Sequence, residues 1–132
     1  MYELLIISWF SSAHNLRGYQ GACENLHGHN WKVEVEVRSG GLDGLGMVVD
    51  FKSLKAKARG VIDRLDHRYL NEVPPFDKEN ATAENIARHI FKEVSAAFEG
   101  GGFGDVKVSR VRVWESESAA AAYYEQEGPD AG

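Results

Sequence analysis

With 132 residues, the chain has the length of one ordinary domain and can bury a core without disulfides or a stapling metal. A formal net charge of -5 excludes the broad basic face that a nucleic-acid footprint needs. A single cysteine excludes an internal disulfide, so a cytoplasmic location is expected.

The apolar segment "LLIISWF" at residues 4–10 follows Glu3, has no basic leader or small-residue cleavage site and is far too short to span a bilayer, so no membrane contact is expected. Residues 3–13 read as a buried strand. Residues 31–38, "WKVEVEVR", alternate strictly between apolar and charged side chains and predict a half-buried strand. Residues 15–26 form a polar loop between them, of a length that compact domains keep for function.

After a glycine-rich turn, Asp50 is placed as an N-cap. Phe51, Leu54, Ala58, Val61, Ile62 and Leu65 follow at helical spacing until the prolines of "DHRYLNEVPP". Thr82 is placed as the next N-cap, with Ile86, Ile90, Phe91, Val94 and Phe98 as an apolar stripe. His89 lies within that helix, one turn before Glu93, and is expected at the surface in an ion pair. Residues 105–114 alternate again, with a parity change between Val108 and Val111 that predicts a bulge near Ser109 and Arg110. "ESAAAAYY" is placed as a returning strand. The expected order is ββααββ, an α+β domain over residues 1–124 with a four-stranded antiparallel sheet, followed by a disordered tail at 125–132.

Side chains two apart on a strand share a face, so the segment His27-Gly28-His29 aims two imidazoles at one point. If the strand runs unbroken into "WKVEVEVR", they share the parity of Val33, Val35 and Val37 and look inward. His14 has the parity of Leu4, Ile6 and Phe10. Three neutral histidines converging from two strands make a zinc site with one open position, which keeps the ion's full charge for polarising an oxygen ligand. The same residues are also consistent with a chance repeat on a loop and an ordinary strand-end histidine.

Cys23 is either a small buried hydrophobe or, beside a bound cation, a thiolate able to act as base or nucleophile. Its polar, glycine-containing surroundings favour the second. Asp66 and His67 are either polar residues at a helix end or a bonded pair poised for proton transfer. Glu115 faces inward if the strand through "VRVWES" continues, and an inward carboxylate pairs in bidentate fashion with adjacent N–H donors of a pterin or guanine; otherwise it is solvated. No phosphate-cradling glycine loop is present, which leaves Arg17, Lys52 and Lys55 as candidate phosphate contacts.

Together "FSSAHNL", "CENLHGHNW", "GMVVDF", "LDHRYLN", "NATAENIA" and "VRVWES" resemble, in order, the signature blocks of the 6-pyruvoyltetrahydropterin synthase family, from about residue 8 to residue 123. The resemblance implies the tunnelling fold, in which sheets of several subunits join into a barrel, and a homo-hexamer with active sites between subunits. It implies that His14, His27 and His29 bind Zn2+, that Cys23 is the catalytic base, and that Asp66 and His67 complete a proton relay. Glu115 then anchors the pterin, and Thr82 matches a pterin-contacting position.

The implied substrate is 7,8-dihydroneopterin triphosphate. The spacing CxxxHGH resembles the bacterial 6-carboxy-5,6,7,8-tetrahydropterin synthase branch, which releases acetaldehyde on the route to 7-deazaguanines and queuosine. The animal-type branch, which makes 6-pyruvoyltetrahydropterin, has a longer spacer. Glu24, directly after Cys23, is similar to a further branch in which a glutamate directs cleavage to 6-hydroxymethyl-7,8-dihydropterin for folate; as an alternative it is a solvated loop carboxylate. A non-catalytic zinc-holding pterin or purine binding module would keep the histidines and Glu115 without needing Cys23, Asp66 and His67.

Overall fold

The computed structural model describes residues 1–18, 26–99 and 102–126. Cys23 and Glu24 therefore lie outside the described residues, as does the tail from residue 127. The elements run β1 (Tyr2–His14), β2 (His27–Ser39), α1 (Phe51–Ile62), β3 (Arg68–Tyr69), α2 (Ala83–Phe98), β4 (Lys107–Trp114) and β5 (Ala120–Tyr123). They form an α+β domain, with a sheet in the order β3-β1-β2-β4-β5.

Alternation of side chains decides the layering. Ile6 and Phe10 of β1, Trp31, Val33, Val35 and Val37 of β2, and Val108, Val111 and Val113 of β4 are buried on one face. The helices cover that face with Leu54, Ala58, Val61 and Ile62 from α1 and Ile86, Ile90, Phe91 and Val94 from α2. On the other face the charges of β2 and β4 meet across the ladder: Glu34 opposite Arg112 at 3.2 Å and Glu36 opposite Arg110 at 3.7 Å. The expected bulge is present, since Val37 pairs with Val108 and Glu36 with Arg110, leaving Ser109 as the extra residue.

Capping follows the sequence. Asp50 accepts from the Lys52 amide and Thr82 from the Asn85 amide, each satisfying an orphan donor of its helix's first turn.

Three expectations need correction. The sheet has five strands, because Arg68 and Tyr69 pair in parallel with Ser12 and Ala13 of β1; a two-residue strand leaves no periodicity to read. The α-helix stops at Ile62, with Leu65 buried from the turns that follow, and Phe51 at its start is exposed. His89 is not a surface ion-pair residue: it is half-buried with its ring edge-on to Phe76, centroids 5.3 Å apart, while Glu93 pairs with Arg64. Beyond β5, Glu125 binds the Lys92 ammonium and accepts from the Tyr123 hydroxyl at 2.8 Å.

Candidate metal centre and reactive groups

β1 and β2 pair over their full length, from Tyr2 with Ser39 to His14 with His27. That register puts His14 directly opposite His27 and diagonally across from His29, on the core side of the sheet. The ring centroids lie 4.5 Å apart for His14 and His27, 5.1 Å for His14 and His29, and 4.6 Å for His27 and His29. Trp31 forms the floor, edge-on to His14 and His29 and stacked on Phe10, and its indole N–H donates to the Ser12 carbonyl at 3.4 Å.

The strand β4 ends at Trp114, and the bend that follows turns Glu115 toward the three imidazoles. Its Oε1 lies 3.4 Å from His14 Nε2, 3.9 Å from His27 Nε2 and 3.1 Å from His29 Nε2. One donor atom from each of these four residues falls within 4.8 Å of all the others.

Two features suit the set to a divalent cation. The Nε2 atoms of His14 and His29 are buried with no hydrogen-bond partner among the described residues, a costly arrangement unless something else occupies their lone pairs. Burial also holds both imidazoles below their ordinary value. For His14 this prevails over the opposing pull of the Ala81 hydrogen bond and Glu115, and for His29 over that of Glu115. Neutral imidazole is the form that ligates metal. The second nitrogen of His14 is also fixed: Nδ1 lies 2.7 Å from the Ala81 carbonyl, which can only accept, so Nδ1 carries the proton and Nε2 is left as a donor of its lone pair.

Asp66 and His67 reach the same end of β1 by backbone clamps. The His67 amide donates to the Ser11 carbonyl at 2.6 Å, and the Ser11 amide donates to Asp66 Oδ1 at 2.9 Å. The Ser12 hydroxyl donates to the Leu65 carbonyl and accepts from the Arg68 amide. His67 takes a positive φ of 55°, unusual for a residue with a Cβ, and its Nδ1 lies 3.1 Å from Asp66 Oδ1. The Ser11 amide, with His67 assisting, holds the Asp66 carboxyl below its ordinary value, so it is ionised at neutral pH. An open groove lined by Ser11–Ala13, Gly28–Asn30 and His67–Tyr69 has both His67 and His29 on its wall.

The structure thus brings together His14, His27, His29 and Glu115, and sets Asp66 and His67 beside the same strand ends. Thr82 caps α2 next to Ala81, the residue that orients His14. Arg17 is committed elsewhere: its guanidinium donates to the carbonyls of Asn71, Phe76 and Glu79, so it secures a loop in place of the phosphate contact expected of it. Sequence reasoning missed Asn71, which is buried and exchanges two hydrogen bonds with the backbone of Asn15, extending the line of β1 past His14.

The family model described as 6-pyruvoyl tetrahydropterin synthase matches residues 3–126. The chain belongs to this family. A 6-carboxy-5,6,7,8-tetrahydropterin synthase from Haemophilus influenzae is 34% identical, the match covering 88% of this chain and 94% of that protein. A dihydroneopterin monophosphate aldolase from Pyrococcus furiosus is 40% identical over 70% of this chain and 72% of its own length. The solved 6-pyruvoyl tetrahydropterin synthase of Caenorhabditis elegans superposes with a TM-score of 0.80 at 27% identity, covering 95% of this chain and 96% of that one. Membership of the 6-pyruvoyl tetrahydropterin synthase family accounts for the fold, and no helix among the described residues is long and apolar enough to cross a membrane.

Proposed function

We propose that this protein is a zinc-dependent carbon–carbon lyase that converts 7,8-dihydroneopterin triphosphate to 6-carboxy-5,6,7,8-tetrahydropterin, acetaldehyde and triphosphate, on the route to 7-deazaguanines and queuosine. The observation that carries this reading is the convergence of three imidazoles and a carboxylate beside the hydrogen-bonded Asp66–His67 pair. The name of the Haemophilus relative supplies the reaction.

His14, His27 and His29 would hold the ion. When bound, it supplies Lewis-acid polarisation of the substrate's side chain. Trp31 excludes water from beneath the imidazoles, and Ala81 keeps His14 in its ligating tautomer. Asp66 orients His67 and stabilises it when it takes a proton, so the pair serves as a relay. Cys23 is assigned the role of base, on the family pattern. Glu115 offers two oxygens to adjacent N–H donors of a pterin ring. Thr82, whose hydroxyl accepts from Asn85, still has a proton to donate to the ring. In this reading the active enzyme is a cytoplasmic homo-hexamer with active sites between subunits.

A second reading is favoured by the Pyrococcus aldolase relative: cleavage of the pterin side chain to 6-hydroxymethyl-7,8-dihydropterin, with Glu24 taking the place of Cys23. The two separate in one assay. The zinc-loaded protein is given 7,8-dihydroneopterin triphosphate, acetaldehyde is measured, and the pterin product is weighed by mass spectrometry. Acetaldehyde with a carboxylated tetrahydropterin is expected. Hydroxymethyl-dihydropterin without acetaldehyde moves the work to Glu24, and no turnover leaves a pterin-binding module.

A further inference from the structure

The position of Glu115 conflicts with a single role for it. A carboxylate that anchors a pterin should face the ring, yet here its Oε1 stands among the three Nε2 atoms at 3.1, 3.4 and 3.9 Å. Ligands about 2.0–2.1 Å from a tetrahedral zinc lie roughly 3.3 Å from one another. The three distances bracket that value, so the oxygen occupies the place of a fourth ligand.

The contacts are close without the alignment of regular hydrogen bonds: His14 Nε2 and His29 Nε2 have no partner that meets hydrogen-bond geometry among the described residues. With the His14 proton on Nδ1, facing Ala81, its Nε2 is left with a lone pair near the carboxylate, and one donor atom from each of the four residues lies within 4.8 Å of the others, a set that a single cation can share. The backbone at Glu115 also permits release. The residue belongs to no strand, its amide bonds to the Ala119 carbonyl across the bend at 3.2 Å, and its side chain is one-third exposed.

We propose that Glu115 is a latch: with no substrate present it ligates the ion held by His14, His27 and His29, and it leaves that position when a pterin ring offers it two adjacent N–H donors. This rests on the pterin reading given above and adds selectivity to it. A carboxylate cannot hold the ion and clasp the ring with both oxygens at once. The ion's reactive position is then opened only by a ligand with the correct heterocycle, and a sugar or polyol phosphate with suitable hydroxyls but no such N–H pair leaves it closed. The latch also shields a strongly polarising ion from stray ligands between turnovers.

The test uses the full chain loaded with Co(II), whose visible absorption reports its ligand set, and the parent pterin, which has the ring but no side chain. Adding pterin to the wild-type protein is expected to change the Co(II) bands. Glu115→Gln and Glu115→Ala are expected to show altered bands before any pterin is added and to bind Co(II) about ten- to a hundredfold more weakly in a chelator competition. The latch is overturned if both variants match the wild type in spectrum and affinity, or if pterin binds, as read by quenching of its fluorescence, without changing the wild-type bands. The wild-type titration needs no substitution, so a misfolded variant does not remove the test. Acetaldehyde release by the zinc-loaded protein is read separately. A responsive spectrum without product keeps the latch and removes the lyase, and product with an unresponsive spectrum does the reverse.

Discussion

His14 Nδ1 donates to the carbonyl of Ala81 at 2.7 Å, which ties the end of β1 to the entrance of α2 and leaves Nε2 free to ligate. Replacing His14 by Gln removes both the ligand and this tie. Metal content measured by elemental analysis should fall to a small fraction of the wild-type value, with loss of turnover. Equal metal in the variant would remove His14 from the ligand set.

Cys23→Ala should separate binding from chemistry. Metal content is expected to stay at the wild-type level while turnover falls by roughly 10²-fold or more, the range for losing a general base. Unchanged turnover would end the role given to the thiol and direct attention to Glu24→Gln.

His67 adopts its positive φ at a cost, because left-handed backbone disfavours a Cβ by about 1–2 kcal/mol. His67→Gly should therefore unfold at a temperature equal to or above the wild type yet lose most activity, whereas His67→Ala should lose activity without that relief. Thermal melts beside rate measurements check both. A glycine variant less stable than the alanine variant would show that the strain is not felt.

Arg17→Ala should reduce stability by about 1–2 kcal/mol through loss of charge-assisted bonds to backbone carbonyls, seen in a urea titration. The KM for a triphosphate substrate should change little. A large rise in KM with unchanged stability would restore the phosphate-binding role.

Burial against Phe76 lowers the His89 pKa below 6.5, overriding the opposing pull of Glu93 and Glu79. The unfolded chain then binds the extra proton first, so this contribution to stability is complete above the unfolded value and is lost as the pH falls through the folded one. Between about pH 7.5 and 5.5, His89→Gln should lose less stability than the wild type, measured by thermal melts of the metal-loaded proteins. Parallel curves would mean that His89 does not titrate across this range.

The three histidines were legible because strand alternation is rigid: knowing the parity of Val33 and Phe10 fixes the face of His27, His29 and His14. Glu115 was legible only as an inward residue. The same rule would have carried it along β4, but the strand stops one residue earlier and a bend sets its direction. Asp66 and His67 stood out as a dipeptide, whereas the Ser11 and Ser12 clamps that bring them to β1 connect residues more than fifty positions apart and leave no local pattern. Arg17 was misread for the same reason. A cation in a polar loop suggests phosphate until the carbonyls of Asn71, Phe76 and Glu79, distant in sequence, are seen to accept from it.

The pairing of His14 with His27 closes a hairpin whose two ends are already fixed by thirteen matched positions on each strand. The chain joining them can therefore lengthen or shorten without shifting any of the three imidazoles, since the entropy of closing a loop rises only slowly with its length. Cys23 and Glu24 both sit on that connection. In the reading proposed above, the fold is a fixed socket with an exchangeable insert: the strands carry the candidate ion ligands, and the loop carries Cys23 and Glu24, the two residues on which the alternative reactions depend.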